Sequence, residues 1–222
     1  MSLIIVQRPH LSPPAAGSGL IDIGAVTVNA TSFNINPQAR GAANGDTMVV
    51  FSLWEDDSAV STPSGWTNIV DKEAPALTTA RWHGDKIKFS GTPPSSVTWS
   101  YSGGSGVAYV WAIVRGVTTV GTLTELKNDI QAPGLFGAIS ITAGTTGALV
   151  FTLADGVSET GNINVEDRFT NMDSIAFDAS VTARTAMIGW TTTSETTNFD
   201  TDDGSGNATK VSQHQVGWLP LS

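Results

Sequence analysis

The sequence predicts an all-β protein: a two-sheet antiparallel β-sandwich of jelly-roll-like arrangement, with an extended N-terminal arm. Short segments are apolar on one or both of the alternating faces that a strand presents, which is the pattern of sheet-forming residues. Turn-forming Gly, Pro, Ser, Asn and Asp separate these segments. About a dozen strands can be placed in this way. The only helical turn that the pattern offers lies over residues 123–130.

The strand that anchors this prediction covers residues 47–54, TMVVFSLW. Both of its faces are apolar and the run is short, which favours a strand buried on both sides over a helix. A polar loop then leads to residues 63–66, PSGW, a turn that returns a large aromatic side chain to the core. Residues 107–114 and 148–154 have the same doubly apolar character and predict further buried strands.

The remaining segments carry weaker strand patterns. Residues 96–101 alternate cleanly between apolar and polar side chains, and so predict a strand with one solvated face. Residues 200–206 indicate a polar loop. The other predicted strands cover residues 25–35, 67–70, 78–82, 86–89, 136–142, 166–172, 174–177, 181–193 and 210–219.

A short internal repeat links the two halves of the chain. Residues 50–53, VFSL, recur as residues 150–153, VFTL, and a polar loop follows each copy. These loops end in WTNI at 66–69 and FTNM at 169–172. A shared plan would let each half contribute similar strands to two packed sheets, which is the jelly-roll arrangement. Coincidence is the alternative for so short a match.

Residues 1–24 differ from the rest and form the predicted arm, whereas residues 25–222 form the predicted single β-sandwich domain. The arm has an apolar patch made of Leu3, Ile4, Ile5 and Val6, followed by prolines and glycines that prevent regular structure. Extended arms that clamp adjacent copies are a common assembly device. We therefore expect the apolar patch to bind a neighbouring subunit rather than the arm's own sandwich.

Composition narrows the classes of function. The 222 residues include no cysteine, so disulfide bonds and thiolate metal sites are excluded. The net charge of −9 comes without any basic cluster, which argues against nucleic acid and anionic membranes as partners. No apolar run approaches the length of a membrane span, and the N-terminus lacks the basic and apolar regions of a secretory signal. We expect synthesis in the cytoplasm.

The pattern of motifs resembles a recurrent β-sandwich domain of tailed bacteriophages and prophages. The resemblance covers residues 24–220 and is most specific at Gly45-Asp46, at residues 63–66 and at Arg115-Gly116-Val117. It implies a non-enzymatic virion component, such as a capsid decoration, head-fibre or tail-associated protein. The partners would be other virion proteins, and we expect a homo-oligomer, with a trimer favoured. No cofactor and no catalytic residue follow from the resemblance.

A carbohydrate-binding module for host glycans is the alternative function. Seven tryptophans invite it, because exposed aromatic faces stack on sugar rings. Trp66 and Trp82 are the candidate glycan-binding residues, although burial in the core is the more common fate of such side chains. Trp82 and Trp218 are the tryptophans that we expect to be partly exposed.

Acidic residues offer a weaker candidate for a metal site. Asp200, Asp202 and Asp203 lie close together before Gly204, and clustered carboxylates on such a turn suit Ca²⁺. The spacing does not match an EF-hand, so a solvated acidic loop is favoured. Enzymatic motifs are missing: no pair of carboxylates is brought together by pattern, and none of the three histidines lies in a nucleophile motif.

Overall fold

The computed structural model describes residues 19–55, 58–73, 80–103, 106–130, 134–155, 172–178, 184–201 and 213–222. These residues form strands and one 3-10 turn, Gln38–Arg40. The strands are β1 (Leu20–Val28), β2 (Ser32–Ile35), β3 (Thr47–Trp54), β4 (Val60–Ser61), β5 (Thr67–Glu73), β6 (Arg81–Lys88), β7 (Val97–Tyr101), β8 (Val107–Val114), β9 (Thr124–Ile130), β10 (Gly134–Ile141), β11 (Gly147–Asp155), β12 (Ser174–Asp178), β13 (Arg184–Thr191), β14 (Glu195–Thr201) and β15 (Gln213–Leu221).

The strands pair antiparallel into four sheets across the described residues. Two are five-stranded, with orders β1-β8-β3-β6-β5 and β12-β13-β11-β15-β9, and we call them the first and second inner sheets. The first outer sheet has the order β2-β7-β4, and the second outer sheet pairs β10 with β14. The all-β antiparallel prediction is confirmed. The number of sheets exceeds the two that the sequence predicted, while the jelly-roll detail stays a prediction.

The two halves of the chain repeat one strand plan. Counted within the first repeat (β1–β8), the inner sheet runs first, last, third, sixth and fifth strand. The second repeat (β9–β15) runs first, last, third, fifth and fourth strand, β9-β15-β11-β13-β12. This is the same order once β4, which has no counterpart among the described strands, is left out of the count, and the outer pair β10-β14 matches β2-β7. The central strands β3 and β11 are the ones that carry the VFSL and VFTL segments. The short sequence echo therefore marks a real structural repeat.

Side-chain alternation along β3 and β11 explains how four sheets stack. In β3, Val49, Phe51 and Leu53 enter a core between the two inner sheets, whereas Met48 and Val50 enter a core beneath the first outer sheet. In β11, alternate residues likewise enter the inter-sheet core and a smaller core on the side of β10. A strand that is buried on both faces thus lies at the centre of each repeat, as the doubly apolar runs predicted.

The repeats meet through matching residues of their central strands. The rings of Phe51 and Phe151 stack with centroids 4.0 Å apart and planes 18° from parallel. These residues hold the same place in the two echoed segments, so the approximate symmetry of the repeats relates them to each other. Aromatic stacking stabilises beyond the burial of area alone.

Several strand assignments differ from the sequence predictions. Residues 81–82 and 86–88, predicted to lie in two strands, belong to the single strand β6. β14 covers Glu195–Thr201, where no strand was predicted and where residues 200–201 were assigned to a polar loop.

Residues 25–35 are not one strand but the end of β1 and all of β2, because the chain passes there from the inner to the outer sheet. The helical turn over residues 123–130 is wrong: the segment forms β9, since pairing with β15 outweighs its weak local preference. Residues 20–24, assigned to the arm, begin β1 and pair with β8.

The arm itself lies outside the described residues up to residue 18, including Leu3, Ile4, Ile5 and Val6. The assignment of residues 25–222 to a single domain stays a prediction. Among the described residues, no helix is long and apolar enough to cross a membrane.

Candidate functional site

The residues that carry the phage resemblance form an ion-pair clamp at one end of the first inner sheet. Asp46 precedes β3 and Arg115 follows β8, and two guanidinium nitrogens donate to the two carboxylate oxygens of Asp46 at 2.9 Å each. Asp46 is only 1% exposed and also accepts a hydrogen bond from the Ala43 amide at 2.8 Å. The Asp46 carboxylate raises the pKa of the Arg115 guanidinium. This bidentate pair fixes the ends of two adjacent strands.

Glycines on both sides of the clamp supply backbone shapes that other residues resist. Gly45 has φ 87° and Gly116 has φ 82°, both in the left-handed region. The Gly45 amide donates to the Phe89 carbonyl at 2.8 Å, which extends the pairing of β3 with β6 by one step. The Gly-Asp and Arg-Gly motifs are therefore explained by local architecture.

The turn at residues 63–66 places Trp66 against the core of the first repeat. The Trp66 amide donates to the Pro63 carbonyl at 3.1 Å, closing the turn. The indole packs edge-on against Trp99 with centroids 4.9 Å apart, and Trp66 is 9% exposed. This agrees with the prediction that the turn returns an aromatic side chain to the core. It leaves little of the ring for a sugar to stack on.

Trp82 is not partly exposed as predicted: its exposure is 0%. It lies in the core between the inner sheets, with its ring centroid 6.2 Å from that of Phe151. The Lys72 ammonium lies over the Trp82 ring, 5.3 Å from the indole centroid. Trp218 is partly exposed, as expected. A stacking site built on Trp66 and Trp82 therefore has no support in the geometry.

A buried polar network joins β6 to its neighbours. Asp85 is 0% exposed, and its carboxylate accepts hydrogen bonds from Trp99 Nε1 at 2.9 Å, Thr62 Oγ1 at 3.0 Å and Asn68 Nδ2 at 3.1 Å. His83 Nε2 lies 2.7 Å from the same carboxylate, and His83 is 1% exposed. These bonds tie the outer strand β7 and the loop before β5 to the inner sheet. The network has almost no accessible surface, which suits an internal brace.

Asp71 lies at the outer end of this network, on β5. Its carboxylate receives Arg81 Nε at 2.6 Å and Arg81 Nη2 at 3.0 Å, and His83 Nδ1 lies 3.4 Å away. Hydrogen bonds from Arg81, with a smaller contribution from His83, hold the pKa of the Asp71 carboxyl below its ordinary value of 3.8.

The feature that the sequence analysis missed is a groove along β5 and β6, which we call the lysine groove. One cavity of about 370 Å³ is lined by Thr47, Gly65, Thr67, Lys86, Ile87, Lys88, Val117, Thr118 and Val120. A second of about 320 Å³ is lined by Asn68, Ile69, Val70, Lys86, Gly121, Thr122, Leu123 and Glu125. Lys86 lines both cavities. The available signal was the alternation Lys86-Ile87-Lys88, which puts two lysines on one face of a strand.

The segment that joins the two repeats forms the other wall of the lysine groove. Residues 117–123 follow β8 and lead into β9, and the end of the chain holds them in place. The Gly121 amide donates to the Pro220 carbonyl at 2.9 Å, and the Ser222 amide donates to the Thr119 carbonyl at 2.9 Å. Lys88 Nζ donates to the Val117 carbonyl at 2.9 Å. The wall is therefore ordered mainly by backbone pairing.

The candidate calcium ligands lie largely outside the part of the chain that is described. Asp200 lies in β14, with its side chain not among those described, and Asp202 and Asp203 fall outside the described residues altogether. Within the described part of the chain, no group of three or more His, Asp or Glu side chains is placed to hold a metal ion. The calcium hypothesis stays a prediction.

Comparison with known proteins gives no relative to set beside this geometry. No family model, no curated protein and no solved structure matches the chain.

Proposed function

We propose that the protein is a non-enzymatic structural component of a tailed-bacteriophage virion, made in the host cytoplasm and assembled as a homo-oligomer, with a trimer favoured. Its place would be on the capsid or tail surface, as a decoration or tail-associated subunit. Its partners would be neighbouring copies and other virion proteins.

One observation supports this proposal above the others. The motifs that resemble the phage sandwich domain each have a defined structural role, since Asp46 pairs with Arg115 across the ends of β3 and β8, and residues 63–66 seat Trp66 on Trp99. A sequence motif whose residues have a defined structural role supports a shared fold more strongly than a short sequence match alone. The step from that fold to a virion role rests on analogy.

The architecture is also suited to a passive structural role. Two repeats share one core, and Asp85 and Asp46 are buried with their hydrogen-bonding capacity used inside the protein. A body of this kind presents a rigid surface for attachment. Binding would come from the N-terminal arm, where Leu3, Ile4, Ile5 and Val6 would each contribute about 1.5–3 kcal/mol if fully buried on a neighbour, before ordering costs.

Removal of the arm tests the proposal. The deletion should span residues 1–18, because Leu20 begins β1 and is 4% exposed. We expect the truncated protein to keep its β-rich circular dichroism, to lose its oligomeric state in light scattering after size exclusion, and to be missing from purified phage particles.

A matched pair of full-length variants locates the effect in the apolar patch. Ile4→Asp with Ile5→Asp should reproduce the deletion, whereas Ser12→Asp, which adds charge elsewhere in the arm, should assemble normally. Full incorporation of the truncated chain into particles would reject the arm mechanism. Absence of the intact chain from every particle fraction would reject the virion role.

A further inference from the structure

We propose that the lysine groove binds a short acidic saccharide, with a carboxylate of the sugar held between Lys86 and Lys88. This function goes beyond the proposed structural role and does not depend on it. It also differs from the tryptophan-based glycan site that the sequence suggested, because it uses charge and hydroxyl groups in place of aromatic stacking.

The first argument is the pairing of positive charges. Lys86 and Lys88 have no carboxylate partner among the described residues, although the protein carries 20 acidic and only 11 basic residues. Every other Lys or Arg whose side chain is described forms an ion pair: Arg40–Asp22, Lys72–Glu125, Arg81–Asp71, Arg115–Asp46 and Arg184–Glu55. The two exceptions are two residues apart on one strand and line one groove.

The second argument is where these lysines lie. They are on the face of β6 that also carries Trp82 and Gly84, which is the face toward the second inner sheet. Lys86 is partly buried there and lines the groove, and its charge has no carboxylate partner among the described residues. Holding an ammonium group in a half-enclosed site costs solvation that an arriving anion would offset.

The third argument is the chemistry of the lining. Thr67 is exposed and paired with Lys86 across β5 and β6, so its hydroxyl group can donate to and accept from sugar hydroxyls, whereas the Thr118 hydroxyl already donates to the Ser222 carbonyl and can only accept. Val120, which packs on the core between the inner sheets, provides an aliphatic surface for the C–H face of a pyranose ring. The two adjoining cavities, about 370 and 320 Å³, fall in the size range of small-molecule sites and together accommodate more than one sugar unit.

Nucleic acid fits the same groove less well. A polyanionic backbone gains affinity from many phosphate contacts, and the groove offers two such lysines on a protein of net charge −9. Glu125 lines the far cavity, where it is paired with Lys72, so the positive charge that the groove offers to an anion is confined to Lys86 and Lys88. A ligand with one carboxylate on each sugar unit, separated by several hydroxyls, suits this distribution better than a chain of phosphates.

Titration of the full chain with trigalacturonic acid tests the proposal, followed by calorimetry and by amide chemical shifts. We expect saturable binding, with the largest shifts in β5, β6 and residues 117–123, and weaker binding as NaCl is raised. The neutral trisaccharide maltotriose should bind far more weakly.

Charge variants assign the binding to the two lysines. Lys86→Met keeps the aliphatic stem and should weaken binding by about tenfold or more, while Lys86→Arg should retain most of it. Lys86→Trp fills the groove and should abolish binding. Arg40→Met is the matched control: it removes one positive charge from a residue paired with Asp22, outside the groove, and should bind like the unaltered protein.

Several outcomes would overturn the proposal. These are the absence of saturable binding to trigalacturonic acid, equal affinity for maltotriose, or equal loss of binding in Arg40→Met. Tighter binding of a single-stranded oligodeoxynucleotide at the same residues would replace the saccharide with nucleic acid. None of these results bears on incorporation into particles, so failure here and failure of the virion role are separable.

Discussion

The two inner sheets meet along two edges, or seams, which the repeat relates to each other. At one, the closed seam, the strands pack directly together; at the other, the open seam, a groove lies beside them. At the closed seam, β1 packs beside β12 and β13, and the Thr27 amide donates to Asp178 Oδ2 at 2.7 Å. At the open seam, the corresponding strands are β9 and β5. There the strands are joined by the Lys72–Glu125 ion pair, and the lysine groove lies beside them.

One pair of matching positions accounts for much of the difference. Gly84 lies opposite Phe51 and Ile188 lies opposite Phe151, so the residues two further along, Lys86 and Trp190, occupy the same place in the two repeats. Trp190 is 0% exposed and lies on β13, in the core between the inner sheets. Lys86 is partly exposed and lines the groove. One copy of the repeated position thus serves packing, whereas the other lines the lysine groove.

The largest expected effect is at the closed seam. Trp190→Ala should lower the free energy of unfolding by about 3–5 kcal/mol, because it empties a fully buried site. The site is closely packed, since a Cβ at Gly147 would lie 2.5 Å from the Trp190 ring. Urea denaturation measures the change. Trp218→Ala, at a partly exposed tryptophan, should cost clearly less, and equal costs would contradict the special role of the closed seam.

A double-mutant cycle on the contact between the repeats is the next largest test. Phe51→Leu and Phe151→Leu should be non-additive by about 0.5–1.5 kcal/mol, because each variant removes the same stacked pair. Phe51→Leu combined with Ile141→Val should be additive, since Ile141 lies in the separate core of the second outer sheet. Additivity of the two Phe changes would mean that the 4.0 Å stack does not couple the repeats.

The central strands could be predicted from sequence because both of their faces are buried. Residues 47–54 and 107–114 are apolar nearly throughout, and β3 and β8 have these bounds. The passage from β1 to β2 could not be predicted in the same way, because alternation indicates which face is buried and not which sheet the strand joins. The second pair of sheets was missed for this reason.

The candidate site was less predictable than the fold. Trp82 stands beside His83 in a weak strand pattern, and only the packing of a second inner sheet against the first buries it. Lys86 and Lys88 look like ordinary solvated residues in the sequence. They stand out only because the other described lysines and arginines form ion pairs. Those pairs join residues that are distant in the chain, such as Arg115 and Asp46, so no local sequence pattern reveals them.

A smaller effect is expected from the Arg81–Asp71 pair on the open side. Because its pKa is held below 3.8, the Asp71 carboxyl stabilises the fold above that pH, and this stabilisation is lost as the pH falls through the lowered pKa. The pair is partly exposed, so its contribution is about 0.2–1 kcal/mol. Asp71→Asn should flatten the acid limb of a stability–pH curve measured by urea denaturation. Adding Arg81→Met should change that limb little further; an unchanged limb in Asp71→Asn would contradict the assignment.

The smallest expected effect is at the open seam itself. Lys86→Met should change the free energy of unfolding by less than about 0.5 kcal/mol, because it removes a charge that has no carboxylate partner among the described residues while the aliphatic stem keeps its contacts. The same urea experiment that finds a large loss for Trp190→Ala should therefore find almost none here, although saccharide binding falls. Lys86→Trp sharpens the comparison, because it gives the open seam the residue of the closed one. A gain in stability in Lys86→Trp would show that the native groove is less well packed than the sequence could make it. A large loss of stability in Lys86→Met would mean that both seams serve the fold alone.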